Sequence, residues 1–317
     1  MEFIKQFIAR YNNIHIPDDR PDVFLFSSPR SGSTWLLELI LTQPGYKPSD
    51  EPFNLRTKAI GKYLAKKGID DWDALYNKEN TKIIDNYLQD ISSGSVGLTN
   101  PFFYKNYFRI VTRSVIFKIL HACEDRAESI TNNMKGEKIY LIRHPVPVSL
   151  SRKYLPRLEA FVRSDFKDML TTEQLTFANE IINTGTELQK SMLDWCIQNS
   201  VTLKQANEDW SIITYEQLVL DPEPIIKHLT EKLNLPYPDL IRKQLKIASN
   251  STHQSDKTTQ GVLENRESEN SKNWLVNKWK DKISTEDEKE VMSMLKVFDI
   301  DIYESGSPLP NKKYLIT

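Results

Sequence analysis

One stretch, residues 23–41, constrains the fold of this 317-residue chain more than any other. It reads VFLFSSPRSGSTWLLELIL: an apolar β-prone run, a turn of small residues, and then an amphipathic helical pattern. The first turn of a helix carries backbone N–H groups without intrahelical partners, and the helix dipole makes that end positive. A strand that leads through a tight turn into a helix therefore predicts an anion site at the junction.

The residue types in the turn suit a phosphate or a sulfate group. Gly32 lets the backbone approach a ligand closely, Ser33 and Thr34 supply hydroxyl donors, and Arg30 is a permanent cation. Nucleoside-triphosphate loops place a lysine directly before the serine or threonine, whereas Ser33 occupies that position here. The alternative interpretation is an ordinary strand-to-helix turn in which Ser31 or Ser33 caps the helix.

Composition and charge argue against several classes of protein. The 42 lysines and arginines nearly balance the 43 aspartates and glutamates, so we expect no nucleic-acid partner. No run of about 18 apolar residues occurs, so we expect no membrane span. The N-terminus carries charges among its apolar residues and predicts a helical extension over residues 1–20 rather than a signal peptide. Two cysteines are too few for a disulfide framework, and we expect a cytoplasmic protein with free thiols.

Four β-branched or aromatic runs predict buried parallel strands: residues 23–26, 115–119, 138–142 and 211–215. Helical patterns separate these runs, which is typical of an α/β fold: a P-loop-type parallel sheet with helices on both faces. We predict a single domain over residues 1–317 with additional helical insertions.

Three longer segments complete the predicted organisation. Residues 171–205 are helix-periodic over their whole length, and Asp221 resembles the N-cap of a further helix. Residues 249–272 are polar and poor in apolar side chains, which predicts a mobile, lid-like loop.

A second anion site is predicted after the strand at residues 138–142. Arg143 lies at the carboxyl end of that strand, where open α/β sheets bind ligands, and Pro145 can begin a helix. Ser151 follows Arg143 by eight residues, about two helical turns, and can face the same side. An arginine at a strand end is more often part of a surface salt bridge, but two such junctions together favour binding.

Three motifs in this order resemble those of the sulfotransferases that use 3′-phosphoadenosine 5′-phosphosulfate (PAPS). PRSGSTW resembles the family's 5′-phosphosulfate loop, P-[KR]-[ST]-G-[ST]-[ST], and YLIRHPVPVSLSR resembles its 3′-phosphate element. SIITYEQLVLDPEPIIKHLTEKLNLP is similar to the Y-E-x-L-x-x-D-P element and the helix after it. The resemblance covers residues 23 to 236 and implies a sulfuryl transferase, in general character similar to bacterial enzymes of natural-product synthesis.

The resemblance implies a set of donor-binding residues. Arg30 would neutralise the charge on the departing phosphate. The loop residues would hold the 5′-phosphosulfate, and the element that contains Arg143 and Ser151 would hold the 3′-phosphate. Trp35 would stack on adenine, or else be a core aromatic; Tyr215 would lie near the donor, or else end a buried strand. Lys272 would belong to a basic stretch ahead of Trp279, or else be a solvated lysine. The donor-binding residues implied in this way are Arg30, Ser31, Gly32, Ser33, Thr34, Trp35, Arg143, Ser151, Tyr215 and Lys272.

Sulfuryl transfer needs a general base to take the acceptor's proton. Glu51 stands where the carbohydrate and tyrosylprotein sulfotransferases have their catalytic glutamate, and it precedes a proline as in several of them. His121 resembles the catalytic histidine of the small-molecule branch, but it lies one residue later than in the K-T-H motif. We favour Glu51 over His121 as the base. The alternative, without a catalytic role, is a solvated turn carboxylate for Glu51 and a core histidine for His121.

The predicted function is in-line transfer from PAPS to a hydroxyl or amine of a small-molecule acceptor, a natural product or a sugar, without a metal. The alternatives are an ATP-dependent kinase with the same loop architecture and a non-catalytic module that binds nucleotides or sulfated glycans. Residues 46–65, 70–107 and 152–177 are expected to line the acceptor pocket. Their aromatics and acids suit a small, polar, cationic molecule, and the residues concerned are Phe53, Tyr104, Tyr107, Phe161, Glu159 and Asp165. The oligomeric state stays open.

Overall fold

The computed structural model describes residues 14–99, 103–253 and 268–317. The strands in these residues are β1 (Ile14–His15), β2 (Val23–Ser27), β3 (Tyr46–Asp50), β4 (Val111–Thr112), β5 (Ser114–Ile119), β6 (Glu137–Ile142) and β7 (Trp210–Thr214). Five of them form a central sheet in the order β3-β5-β2-β6-β7, and every neighbouring pair is parallel. β1 and β4 pair separately, also in parallel. The predicted α/β class and all four predicted strands are confirmed.

Helices cover the sheet and connect its strands. They are α1 (Ser33–Leu41), α2 (Lys58–Ala65), α3 (Thr81–Ser92), α4 (Ala127–Asn133), α5 (Pro145–Ser151), α6 (Ala160–Arg163), α7 (Thr172–Thr184), α8 (Glu187–Gln205), α9 (Tyr215–Leu220), α10 (Glu223–Lys232), α11 (Pro238–Leu245), α12 (Asn250–His253), α13 (Glu269–Asn277) and α14 (Thr285–Val297). Short 3₁₀ turns lie at Lys78–Asn80, Lys105–Tyr107, Asp165–Met169, Lys280–Lys282 and Lys312–Tyr314. None of the helices in the described part of the chain is long and apolar enough to cross a membrane.

β2 and β5 are buried along their whole length. Successive side chains point to opposite sides of the sheet, and helices cover both sides. Phe24 packs against Phe117 on one face, with ring centroids 4.8 Å apart. Val23 and Leu25 point to the other face, where they join the core that includes α1. This two-sided burial explains why the strands read as continuous apolar runs.

The strand β3 was missed by the sequence prediction. It reads Tyr-Lys-Pro-Ser-Asp, and such a run lacks the apolar continuity of the other strands. It lies at the edge of the sheet, pairs only with β5 among the described strands, and contains Pro48. An edge strand tolerates proline because one side of its backbone needs no ladder partner.

The helical pattern over residues 171–205 is confirmed: it forms two helices, with Gly185 as the C-cap of α7 and Thr186 as the capping-box N-cap of α8. Two other local predictions differ from the structure. Asp221 is the C-cap of α9, and Pro222 takes the N-cap position of α10. Within the predicted helical extension over residues 1–20, Ile14–His15 form a strand that pairs with β4 instead of a helix. Residues 1–13 lie outside the described residues.

The predicted loop over residues 249–272 fails at both of its ends. Asn250–His253 form α12, and Lys272 lies within α13, which begins at Glu269. Ser268 caps α13 by accepting the N–H of Ser271, so a polar sequence there encodes a helix start rather than a loop. Residues 254–267 lie outside the described residues.

Candidate active site

The loop between β2 and α1 lies at the carboxyl end of the central strand. Arg30 and Gly32 both have positive φ, 74° and 93°. The carbonyl of Gly32 accepts the N–H groups of Trp35 and Leu36, which starts the helix. The side chain of Ser31 bonds instead to the hydroxyl of Ser28 at 3.1 Å, and the N-cap position of α1 is taken by Gly32, which has no side chain that could cap it. The interpretation as a serine-capped turn is therefore wrong, and the first turn is open to an anion.

Tyr215 explains why the loop needs glycine at position 32. A Cβ on Gly32 would lie 2.7 Å from Cδ2 of Tyr215, which is closer than carbon atoms pack. The ring of Tyr215 also lies below the guanidinium of Arg143, 4.2 Å from Cζ to the ring centroid. Tyr215 is thus packed between the two predicted anion sites.

The second site is in direct contact with the first. Arg143 follows β6, and its Nη1 donates to the carbonyl of Arg30 at 3.1 Å. Its Nε is buried and has no hydrogen-bond partner among the described residues. Ser151, at the end of α5, is exposed and donates to the carbonyl of Val148 at 2.8 Å. Arg143 is therefore held at the loop with part of its hydrogen-bonding capacity unused.

Trp35 and Lys272 are less directly connected to this pair of sites. Trp35 is 7% exposed and packs edge-on against Tyr215 within the core on the α1 face. This burial agrees with the alternative of a core aromatic. Lys272 reaches the carbonyl of Leu220, at the far end of α9 from Tyr215. The contacts of Lys272 do not bring it to Arg143.

Glu51 and His121, the two candidate bases, lie side by side. Glu51 follows β3 with a φ of 49°, and its N–H donates to the carbonyl of Lys118 at 2.9 Å. Its Oε2 lies 3.7 Å from Nε2 of His121 and accepts a hydrogen bond from Asn54 at 2.8 Å. The side chain of Glu51 is 24% exposed and that of His121 only 5%. Glu51 is therefore the more accessible of the two.

The buried Lys118 joins the anion loop to the candidate base. Its Nζ lies 2.5 Å from Asp50 and 3.4 Å from Glu51, and it donates to the hydroxyl of Thr34 at 3.1 Å. Burial lowers the pKa of Lys118, but the two carboxylates more than offset this and raise it, so the ammonium stays charged. Sequence reasoning gave Lys118 no role; the available signal was a lysine inside an otherwise apolar strand.

The imidazole of His121 is neutral near pH 7. Burial, and after it the positive charges of Arg157 and Arg152, hold the pKa of His121 well below its usual value. Its Nδ1 is buried without a hydrogen-bond partner among the described residues. A neutral ring beside Glu51 can accept or pass on a proton, so the second candidate stays chemically competent.

A third carboxylate, which sequence reasoning also missed, lies in α1. Glu38 is buried one helical turn after Thr34 and accepts the backbone N–H of Asn250 at 3.1 Å. Burial raises the pKa of Glu38 to about 7. Glu38 thereby links the loop helix to α12.

The expected lining of the acceptor pocket needs correction. Phe53 and Phe161 are fully buried in the core. Glu159 pairs with Arg163 on the surface, and Asp165 accepts the N–H of Lys78. These four side chains are engaged in packing or in surface pairs, so they do not define a pocket for a cation.

A cavity of about 210 Å³ lies along the open edge of β3. Its walls include Tyr104 and Tyr107 from the expected set, and Asp50 and Pro52 on either side of Glu51. The cavity therefore reaches the neighbourhood of the candidate base from the edge of the sheet.

Comparisons with known proteins address the family directly. A family model described as the sulfotransferase domain matches residues 20–297. A search of curated proteins found no match. Among solved structures, the chain is similar to the sulfotransferase domain from the curacin biosynthetic pathway, with 21% identity, 72% of this chain and 77% of that chain covered, and a TM-score of 0.36.

Two further solved structures are similar at comparable levels. The sulfotransferase domain from the Synechococcus PCC 7002 olefin synthase shows 18% identity, coverage of 77% and 83%, and a TM-score of 0.38. Mouse sulfotransferase SULT7A1 complexed with PAP shows 17% identity, coverage of 77% and 70%, and a TM-score of 0.34. These TM-scores are below 0.5, so the assignment depends on the domain model, which covers most of the chain. The chain therefore belongs to the sulfotransferase domain family and is a sulfotransferase.

Proposed function

We propose that the chain transfers a sulfuryl group from PAPS to a hydroxyl or amine of a small-molecule acceptor. The observation that carries this proposal is the contact between Arg143 and the carbonyl of Arg30, which joins the two predicted anion sites. PAPS has a phosphosulfate on one side of its ribose and a phosphate on the other. Two adjacent but separate sites suit that molecule better than a nucleoside triphosphate, whose phosphates need one continuous cradle.

The residues of the loop would bind the phosphosulfate, and Arg143 with Ser151 would bind the 3′-phosphate. PAPS supplies the sulfuryl group and leaves as adenosine 3′,5′-bisphosphate when the bond from sulfur to the phosphate oxygen breaks. Arg30 would neutralise the charge that develops on that oxygen. Lys118, which donates to the hydroxyl of Thr34, would act on the same charge.

Glu51 would take the proton of the acceptor as the new bond to sulfur forms. Its partial exposure supports this role, and so does its contact with Lys118, which couples the base to the loop. His121, whose Nε2 lies 3.7 Å from Oε2 of Glu51, would be a neutral neighbour of the base. The cavity along β3 supports a small acceptor that approaches from the edge of the sheet.

A thermal-shift measurement with two nucleotides tests the donor. Adenosine 3′,5′-bisphosphate at a hundredfold excess over its Kd should raise the Tm by about 5 °C. ATP with Mg²⁺ should have a much smaller effect. Arg143→Ala should abolish most of the stabilisation, whereas Arg242→Ala, an exposed arginine paired with Glu223, should leave it unchanged.

Stabilisation by ATP and Mg²⁺ alone would contradict the proposal and favour the kinase alternative. Binding of the bisphosphate without transfer to any acceptor, in a screen with donor labelled in the sulfuryl group, would favour the non-catalytic module. The same screen would identify the acceptor class.

A further inference from the structure

A buried carboxylate lies behind Arg143 and is not used in the proposed chemistry. Glu216 is the second residue of α9, is 2% exposed, and binds a different group with each of its oxygens. Oε1 accepts the backbone N–H of His144 at 3.0 Å. Oε2 accepts the hydroxyl of Tyr303 at 2.6 Å. Glu216 therefore bridges the junction of β6 and α5 to the C-terminal segment.

Aromatic rings enclose this bridge. The ring of His144 stacks on Trp279, with centroids 4.6 Å apart and planes inclined by 21°. Tyr303 packs edge-on against the same His144 ring at 5.0 Å. The residue directly after Arg143 is thus fixed at its N–H by Glu216 and at its ring by two residues from late in the chain.

The same helix also determines where the guanidinium of Arg143 lies. Tyr215, which supports the guanidinium, begins α9 and directly precedes Glu216. A bond from Glu216 to His144 therefore sets the position of α9 relative to the end of β6. The position of Arg143 depends on that bond in two ways: through its own backbone, which adjoins His144, and through the ring of Tyr215 beneath its guanidinium.

Burial is the largest influence on the carboxyl group of Glu216 and raises its pKa. The bonds from Tyr303 and His144 and the charge of Arg143 act in the opposite direction and offset only part of this rise. Both oxygens have hydrogen-bond partners, which offsets part of the cost of burying a carboxylate.

We propose that Glu216 is a positioning residue for 3′-phosphate recognition: it bridges His144 and Tyr303 and so holds Arg143 at the phosphate. This inference rests on the proposed function, because it assigns Arg143 to the 3′-phosphate. Since Glu216 acts through Arg143, its loss should weaken the binding of nucleotides that carry a 3′-phosphate. The binding of nucleotides that lack this group should stay unchanged.

Calorimetric Kd values for adenosine 3′,5′-bisphosphate and for AMP provide the test. The quantity to compare is the affinity for the bisphosphate divided by the affinity for AMP. In Glu216→Ala this ratio should fall at least about tenfold, while the affinity for AMP stays within about twofold of the wild type. Tyr303→Phe removes one of the two bonds and should lower the ratio about threefold. Glu216→Gln keeps an acceptor for His144 and can donate to Tyr303, so it should stay within about threefold of the wild type.

Tyr314→Phe is the matched control, because Tyr314 also donates to a carboxylate in the C-terminal segment, that of Asp301. It should leave the ratio unchanged. If Glu216→Ala does not fold, Tyr303→Phe decides the question. An unchanged ratio in folded Glu216→Ala overturns the inference about Glu216 but not the proposed donor site. If the alanine variant does not fold, an unchanged ratio in Tyr303→Phe has the same meaning. A wild type that binds the bisphosphate no better than AMP overturns the proposed donor site as well.

Discussion

At the scale of single residues, Gly32 shows how much one position can decide. Its φ of 93° and the ring of Tyr215, which lies where a Cβ would be, each disfavour a larger residue. The sequence indicates a glycine-dependent turn, but the ring that requires it comes from position 215. Residue types predict the chemistry of a site, whereas the neighbours of each residue follow only from the fold.

The identity of the base is also a question about residues. Glu51→Gln should cut turnover at least about 10²-fold, because the amide cannot accept the acceptor's proton. His121→Ala should have a smaller effect, since His121 is the less accessible of the pair. Steady-state rates with saturating donor would measure both, with Glu159→Gln, an exposed glutamate paired with Arg163, as the control. Near-normal turnover in Glu51→Gln together with an inactive His121→Ala would reverse the assignment.

At the scale of secondary-structure elements, apolar runs predict buried strands well and polar edge strands poorly. β2, β5, β6 and β7 are recognisable because both of their faces are covered. β3 is not, because Lys47 and Asp50 interrupt its apolar pattern and Pro48 is tolerated only at an edge. The candidate base follows β3 directly, so the missed strand is the one that presents Glu51.

Glu38 connects two elements and predicts how stability depends on pH. Burial raises its pKa from 4.5 to about 7, so the folded chain binds this proton more tightly than the unfolded chain does. The free energy of unfolding should therefore fall as the pH rises from about 4.5 to about 7, and change little from this source above that. This loss should amount to at most about 3 kcal/mol of the free energy of unfolding, and it should be absent in Glu38→Gln. Urea unfolding at pH 5 and pH 8 would measure it.

The exposed Glu159→Gln should retain the pH dependence of the wild type in the same experiment. An identical pH dependence in Glu38→Gln and the wild type would show that Glu38 ionises normally in the folded chain.

At the scale of the whole molecule, a buried polar network joins distant segments. Arg157 is fully buried and bonds to Glu124 and to the hydroxyl of Tyr76. Gln198 of α8 donates to the same carboxylate at 3.0 Å. The network connects the segment after α5 with the end of β5, next to His121.

Removing one charge of this network should destabilise the fold strongly. Arg157→Ala leaves Glu124 buried without its cation and should lower the free energy of unfolding by about 3–5 kcal/mol. The double variant Arg157→Met with Glu124→Gln should recover most of that loss, because it leaves no unpaired charge. Chemical denaturation would give both values. A double variant no more stable than Arg157→Ala would mean that the network acts through shape rather than charge.

The sequence itself determined four buried strands, the strand-to-helix turn after Val23–Ser27 and the second such junction at Arg143, because apolar runs and turn residues encode them locally. The tertiary structure decided the rest. It placed Lys118 against Thr34 and Glu51, and Tyr215 between Gly32 and Arg143. Those contacts join residues far apart in the chain, and only the parallel order of the sheet brings its carboxyl ends together.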